Sequence, residues 1–318
     1  MTLPGQPVHL VNIFRRSRLS GIGGEGVLVE RVFIVGCGDI GRRVARLAQE
    51  GGAAVTALAR SEETAQKLRE LGIESVPGDL DDPSTLTALP TRGAVVFYFA
   101  PPPGGGFTDP RMRSFCLSVQ PGEEPAKVVY ISTSGVYGDS GDELVTEETP
   151  PDPKTSRGRR RYDAETVLAA WGKERGVAVV ILRVTGIYGP GRLPLQHLTS
   201  GQPVLVESEA RFTNRIHSDD LVRVCMAAAA RGEDGDIFNV SDGRPGTMTE
   251  YFTVCADALG LPRPRQVTLE EARQVMSPLM LSYVTESRRL DNRKMLEKLG
   301  ITLRYPTLVE GVRASVAR

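Results

Sequence analysis

Three glycines, Gly36, Gly38 and Gly41, stand in a G-x-G-x-x-G spacing. This pattern can bring backbone N–H groups against a diphosphate. Gly36 permits a tight turn, Gly38 lets the backbone approach the phosphates, and Gly41 lets a following helix pack against the preceding strand. Asp39 and Ile40 open that helix, whose free N–H groups and positive dipole end suit an anion. Arg60 and Ser61 follow 19 and 20 positions after Gly41. A site selecting a free ribose 2′-hydroxyl usually has Asp or Glu there, whereas a cation and a hydroxyl suit a 2′-phosphate. This predicts NADP as the cofactor, with NAD as the alternative. Asp79 and Leu80 stand where an adenine ring could pack, although an Asp there could equally cap a helix.

These residues need a scaffold, and the surrounding pattern supplies it. Arg31-Val-Phe-Ile-Val35 has a buried-strand composition, and Ile40, Val44 and Leu47 then recur at helical spacing. Further strands are expected at 53–59, 73–76, 94–100, 127–132 and 177–184, and helices at 62–71, 109–119 and 159–175. Residues 94–100 are almost continuously apolar, as in a parallel strand buried on both faces. Ala100 and Pro101 begin the exit from that strand, and Pro101 to Gly106 should form a loop over the ligand crevice. The alternation predicts an α/β fold with a doubly wound parallel sheet across 29–185. A smaller C-terminal substrate-binding region is expected across 186–318. It contains a strand at 237–240, helices at 220–231 and near 247–259, 268–275 and 291–299, and late returns to the sheet. Residues 1–28, with clustered arginines and glycines, are read as a disordered extension or a mis-assigned start.

Composition narrows the function classes. The 318 residues are 40% hydrophobic and 25% charged with zero formal net charge, which suits a soluble globular chain and gives no support for bulk nucleic-acid binding. No apolar run reaches membrane-spanning length. Cys37, Cys116, Cys225 and Cys255 show no metal-ligand spacing and there are three histidines, so no metal is expected and the cysteines are read as thiols of a reducing cytoplasm.

Several stretches together resemble the extended short-chain dehydrogenase/reductases, the NAD-dependent epimerase/dehydratase family. They are the glycine turn, Asp79-Leu80, Ser132-Thr-Ser-Gly-Val-Tyr-Gly138, Ala164-Glu165, Leu182 to Arg192, Ile216-His-Ser-Asp-Asp220, Phe238-Asn-Val240 and Arg288 to Tyr305. The likeness covers about residues 30–315, and the glycine spacing is closest to the atypical branch. It implies a Rossmann fold and NAD(P)-dependent hydride transfer by an oxidoreductase, epimerase or dehydratase. The substrate class it implies is a small or nucleotide-linked carbonyl or hydroxyl compound that can carry phosphate.

The family uses a Ser or Thr to hold the reacting oxygen, a Tyr to move a proton, and a Lys four residues later to lower the tyrosine pKa and hold ribose. The resemblance places Thr133 in the first role. Aligned on Ala164-Glu165, the Tyr and Lys positions hold Arg157 and Arg161. Arginine stays protonated and cannot shuttle a proton at neutral pH. Arg161 can still hold ribose or phosphate, and Arg157 can hold an anionic or carbonyl oxygen. Tyr188 is the expected substitute acid. Tyr98 and Tyr137 are assigned to packing, and Asp219 and Asp220 to helix capping. Anions are expected near the arginines at 157–161, because cations oppose the helix dipole there. Arg192, Arg211 and Arg215 suit a phosphorylated or carboxylated ligand, or are surface charge. Loss of the Tyr/Lys pair supports a second function: a non-catalytic NAD(P)-binding sensor. The helix after the fourth strand is short and cut by Pro121-Gly122, so a monomer or weak homodimer is expected.

Overall fold

The computed structural model describes residues 29–317; the reading of 1–28 lies outside the described residues. A seven-stranded sheet forms the centre. Its strands are β1 (Arg31–Val35), β2 (Ala54–Ala59), β3 (Glu74–Pro77), β4 (Val95–Tyr98), β5 (Lys127–Thr133), β6 (Ala178–Val184) and a late strand (Ile237–Val240). All pair in parallel, in the order late strand-β6-β5-β4-β1-β2-β3. The order reverses between β1 and β4, and ligands of such sheets bind in the crevice outside the carboxyl ends at that point.

Alternation along β1 sends side chains to two cores. Val32 and Ile34 join Val44, Ala45 and Ala48 of α1 (Asp39–Glu50) on one face. Phe33 and Val35 face the other core, with Met112 and Phe115 of α3 (Pro110–Ser118) and Leu168 and Trp171 of α4 (Ser156–Arg175). The helix α2 (Glu62–Glu70) links β2 to β3. The C-terminal half returns to this frame. Leu221, Val224 and Cys225 of α5 (Ser218–Arg231) enter the first core, as do Phe238 and Val240 of the late strand.

The rest of the C-terminal half builds its own cluster. Tyr251, Phe252 and Cys255 of α6 (Met248–Leu259) pack with Val312 of the last helix (Leu308–Val316). Here β7 (Gly186–Tyr188) pairs in parallel with β8 (Arg215–His217) just beyond the carboxyl end of β6. Two short helices, α7 (Leu269–Val275) and α8 (Pro278–Val284), complete this region. Among the described residues no helix is long and apolar enough to cross a membrane, and no group of His, Cys, Asp and Glu could hold a metal ion.

Two details of capping differ from expectation. The helix α4 starts at Ser156, three residues earlier than expected, because the Thr155 hydroxyl accepts from Gly158 N at 3.1 Å. Arg157 therefore lies inside its first turn. Asp219 and Asp220, expected as caps of α5, are not its N-cap. Its N-cap is His217, whose Nδ1 accepts from Asp219 N at 3.1 Å, while Asp220 accepts from Arg304 N and Tyr305 N at 2.7 and 2.9 Å. The helix begins at Ser218, so both aspartates already sit in its first turn, and Asp220 is left to fasten the C-terminal loop.

Candidate functional site

The glycine turn is built around a close backbone crossing. Gly36 has φ +93°, and a Cβ there would lie 2.8 Å from Ala100 Cα and from the Phe99 carbonyl carbon. Phe99 N and Ala100 N both donate to Val35 O, at 2.7 and 3.0 Å, so the ends of β1 and β4 are stapled together. Gly41 is equally confined, with Gly36 O at 2.9 Å and Ile34 Cγ2 at 3.3 Å from its missing Cβ. Gly38 differs. It has φ −77°, and no atom lies within 4 Å of where its Cβ would be. The turn therefore offers open space at the one glycine that would face a diphosphate, which fits a dinucleotide.

The neighbouring side chains carry charge into this turn. Asp39, the first residue of α1, accepts from Arg43 Nε at 2.9 Å and from Arg192 Nη1 at 3.1 Å. Burial opposes its ionisation, but the two arginines outweigh this and hold its pKa below the ordinary carboxylate value. Arg43 also reaches Asp219 and Pro190 O, both at 3.2 Å. The turn is thus clamped to the loop after β7, and Arg192 is committed to that clamp. Ile40 is buried beneath it.

At the end of β2, the Ser61 hydroxyl caps α2 by accepting from Thr64 N at 3.2 Å. The Arg60 side chain is 68% exposed and lies 3.9 Å from Asp81. Asp81 is already held by Arg111, at 2.7 Å to Nε and 2.5 Å to Nη2. Arg60 is therefore the less committed of the two cations. Asp79 does not cap a helix: its carboxylate accepts from Asp81 N at 3.0 Å, while Asp82 caps the following turn through Ser84 N at 3.2 Å. Leu80 and Ala100 are buried, and Pro101 O accepts from Arg111 Nη1 at 2.9 Å.

Thr133 ends β5, half-buried, with its hydroxyl accepting from Gly135 N at 3.2 Å. The anions expected from the helix dipole are met in part: Asp109 acts on Arg161 at a distance, while among the described residues none of the four arginines at 157–161 makes a salt bridge. Carbonyls and aromatic rings take that role. Arg161 Nη1 donates to Ile131 O at 2.7 Å and to the Tyr130 hydroxyl at 3.3 Å. Arg160 donates to Gly105 O and Gly106 O at 3.2 and 3.1 Å, and Arg159 lies over Phe107. Arg157 lies 4.2 Å from the ring centroid of Tyr283 on α8. These oxygens and π-faces supply the negative potential that carboxylates would have supplied.

Tyr188 cannot be the substitute acid. It is fully buried, edge-on to His217 and Tyr251 at centroid separations of 5.3 and 6.3 Å. Gly311 of the last helix approaches so closely that a Cβ there would lie 2.8 Å from Tyr188 Cζ. Burial pushes its phenol far above the ordinary value, and the aspartates Asp242 and Asp220 add to this. Tyr98 and Tyr137 are core residues as expected, the latter donating to Asn239 Oδ1 at 2.8 Å. Sequence reasoning missed Tyr283, which is 41% exposed and held against Arg157. Its short helix packs Met280, Leu281 and Val284 inward and leaves Tyr283 exposed. The reasoning also missed a buried network on β5, α4 and β6, in which Glu165 accepts from the Ser132 hydroxyl and from Arg183 Nη2, the latter at 2.8 Å.

Comparisons with known proteins agree with this fold. The model of the NAD dependent epimerase/dehydratase family matches residues 116–241, and that of the TrkA-N domain matches 32–101. The chain is 26% identical over 250 residues to 4-hydroxy-2-methyl-3-oxo-4-farnesyl-3,4-dihydroquinoline-1-oxide ketoreductase of Stigmatella aurantiaca, covering 73% of this chain and 74% of that protein. A functionally unknown conserved protein from Silicibacter pomeroyi superposes with a TM-score of 0.76 at 27% identity, over 91% of this chain and 98% of that one. The dTDP-glucose 4,6-dehydratase of Streptomyces venezuelae, a double mutant solved with NAD bound, superposes with a TM-score of 0.72 at 21% identity, over 91% and 96% of the two chains.

Proposed function

We propose that this chain, whose residues 116–241 match the model of the NAD dependent epimerase/dehydratase family, is an oxidoreductase, epimerase or dehydratase that uses NADP(H). Its substrate is a small or nucleotide-linked carbonyl or hydroxyl compound. The observation that carries the reading is the contrast within the glycine turn: Gly36 and Gly41 are filled by neighbouring atoms, while Gly38 faces open space. When bound, the dinucleotide supplies hydride transfer at its nicotinamide.

The chain's own groups then divide the work. The N–H groups at 39–41 receive the diphosphate. Arg161, anchored on Ile131 O, stands in the lysine's place for the ribose. Thr133 orients the reacting oxygen. The phenol is supplied by Tyr283, whose ring lies against Arg157 in the position the family gives to tyrosine. A sensor that binds NAD(P) without turnover is the second reading. The replacement of both members of the Tyr/Lys pair favours it.

Arg60 decides between the two dinucleotides in this reading. Arg60→Ala is expected to weaken NADPH binding by about 10–100-fold, the range of a lost charge-assisted contact, and to leave NADH binding nearly unchanged. Fluorescence titration of both cofactors into both proteins checks it. Equal loss for the two, or no preference in the wild type, would remove Arg60 from this role.

A further inference from the structure

Arg215 is a cation with no salt bridge among the described residues, in a place where the fold has made room for it. Arg215 stands opposite Gly186 in the β7–β8 pair. A Cβ on Gly186 would strike the Arg215 guanidinium, lying 3.3 Å from both Cδ and Cζ and nearer still to Nη1. This glycine does not have a positive φ, so what it provides is space for the guanidinium. The ring of Tyr251 lies 4.4 Å from the guanidinium carbon.

The partners of this guanidinium are poor. Nη1 donates to Asn214 O at 3.2 Å, Nη2 points at the thioether sulfur of Met248 at 2.7 Å, and the buried Nε has no partner. No carboxylate among the described residues makes a salt bridge with it. Arg183, by contrast, is buried with Glu165 across three hydrogen bonds. A desolvated charge that is not paired is costly, and folds usually keep one only for a ligand that pairs with it. Burial lowers the pKa of this arginine and pushes that of the nearby Asp242 up to about 6; the Asp242 carboxylate acts on the guanidinium only at a distance, without a hydrogen bond or salt bridge to it.

Its location supplies the second half of the argument. The register places Thr133 beside Val184, and Gly186 lies two residues beyond Val184 and is exposed. At ~3.3 Å per residue the guanidinium therefore stands within roughly one small molecule's length of the Thr133 hydroxyl.

We propose that Arg215, seated against Gly186 and Tyr251, is the receptor for an oxyanion group, carboxylate or phosphoryl, on the substrate that Thr133 orients. The planar guanidinium fork matches two oxygens of either group. This rests on the function proposed above. It adds that the substrate is anionic close to its reacting carbon.

The test uses the full chain saturated with NADPH, so that the diphosphate site is filled. Malonate and inorganic pyrophosphate are titrated against sodium chloride of equal ionic strength, with calorimetry and thermal melting as readouts. One or both probes are expected to bind and raise Tm in the wild type. Arg215→Gln should raise the probe Kd by at least about tenfold, while Arg263→Gln, on an exposed surface pair, should not. Gly186→Ala keeps the charge but displaces the guanidinium, and is expected to lose the same binding; it serves if Arg215→Gln does not fold. Malonate alone would identify a carboxylate substrate, and pyrophosphate alone a phosphorylated one. No probe binding beyond chloride, or binding unchanged in a folded Arg215→Gln or Gly186→Ala, overturns the proposal. Absence of NADPH binding in the same samples would instead refute the cofactor reading.

Discussion

Gly38→Ala is expected to fold with an unchanged melting temperature and yet lose at least about 100-fold in NADPH affinity. No protein atom lies within 4 Å of the new methyl, and φ −77° is open to any residue. The space it would occupy is the approach of the diphosphate to the backbone. Gly36→Ala should behave in the opposite way. Its φ of +93° is costly for a residue with a Cβ, by about 1–2 kcal/mol. The methyl also meets Ala100 and Phe99, whose backbone is pinned to Val35 O and cannot yield. Overpacking adds about 1–3 kcal/mol, so a loss of roughly 3 kcal/mol in stability is expected. Denaturant unfolding and NADPH titration of the two variants check the pair. Wild-type affinity in Gly38→Ala would mean that no diphosphate approaches this turn.

The parts of this site that could be read from the sequence are those set by local geometry. The glycine turn depends on three residues and the strand and helix beside them, and it lies where that pattern requires. The sheet was legible for the same reason: each β-α unit buries its own apolar stripe, and the parallel order follows from the right-handed crossover. Side-chain roles set by distant segments were not legible. Tyr188 follows β6 and looks close to the crevice, but it is covered by a helix about 120 positions later, where Gly311 closes over its ring. The cap of α5 was assigned to the aspartates because of residue type, whereas the helix start was set by His217. The arginines of α4 called for acids on dipole grounds, and tertiary structure answered mainly with carbonyls and rings, with Asp109 acting on Arg161 only at a distance. Arg192 had no visible partner in sequence because Asp39 lies 153 positions away.

Thr133→Ala is expected to lower turnover by about 10²–10³-fold with little change in NADPH affinity, because a hydroxyl that orients the reacting oxygen acts in the transition state. Tyr283→Phe should cost about 10²-fold, the lower end of what general acid–base catalysis contributes, again with the cofactor still bound. Removing the ring altogether, in Tyr283→Ala, also removes the stacking that seats Arg157, so its loss should exceed that of Tyr283→Phe. Arg157→Tyr would restore a phenol at the position where the family has one. If the scaffold still supports that geometry, this variant should rescue part of the activity lost in Tyr283→Phe. The measurement is a screen of nucleotide sugars and small carbonyl compounds with NADPH, followed by steady-state kinetics of each variant on any compound turned over. A full rate in Tyr283→Phe would exclude Tyr283 as the proton donor. Tight NADPH binding with no compound turned over, by the wild type or by Arg157→Tyr, would favour the sensor. The replaced Tyr/Lys pair would then mark a site that kept its dinucleotide and lost its chemistry.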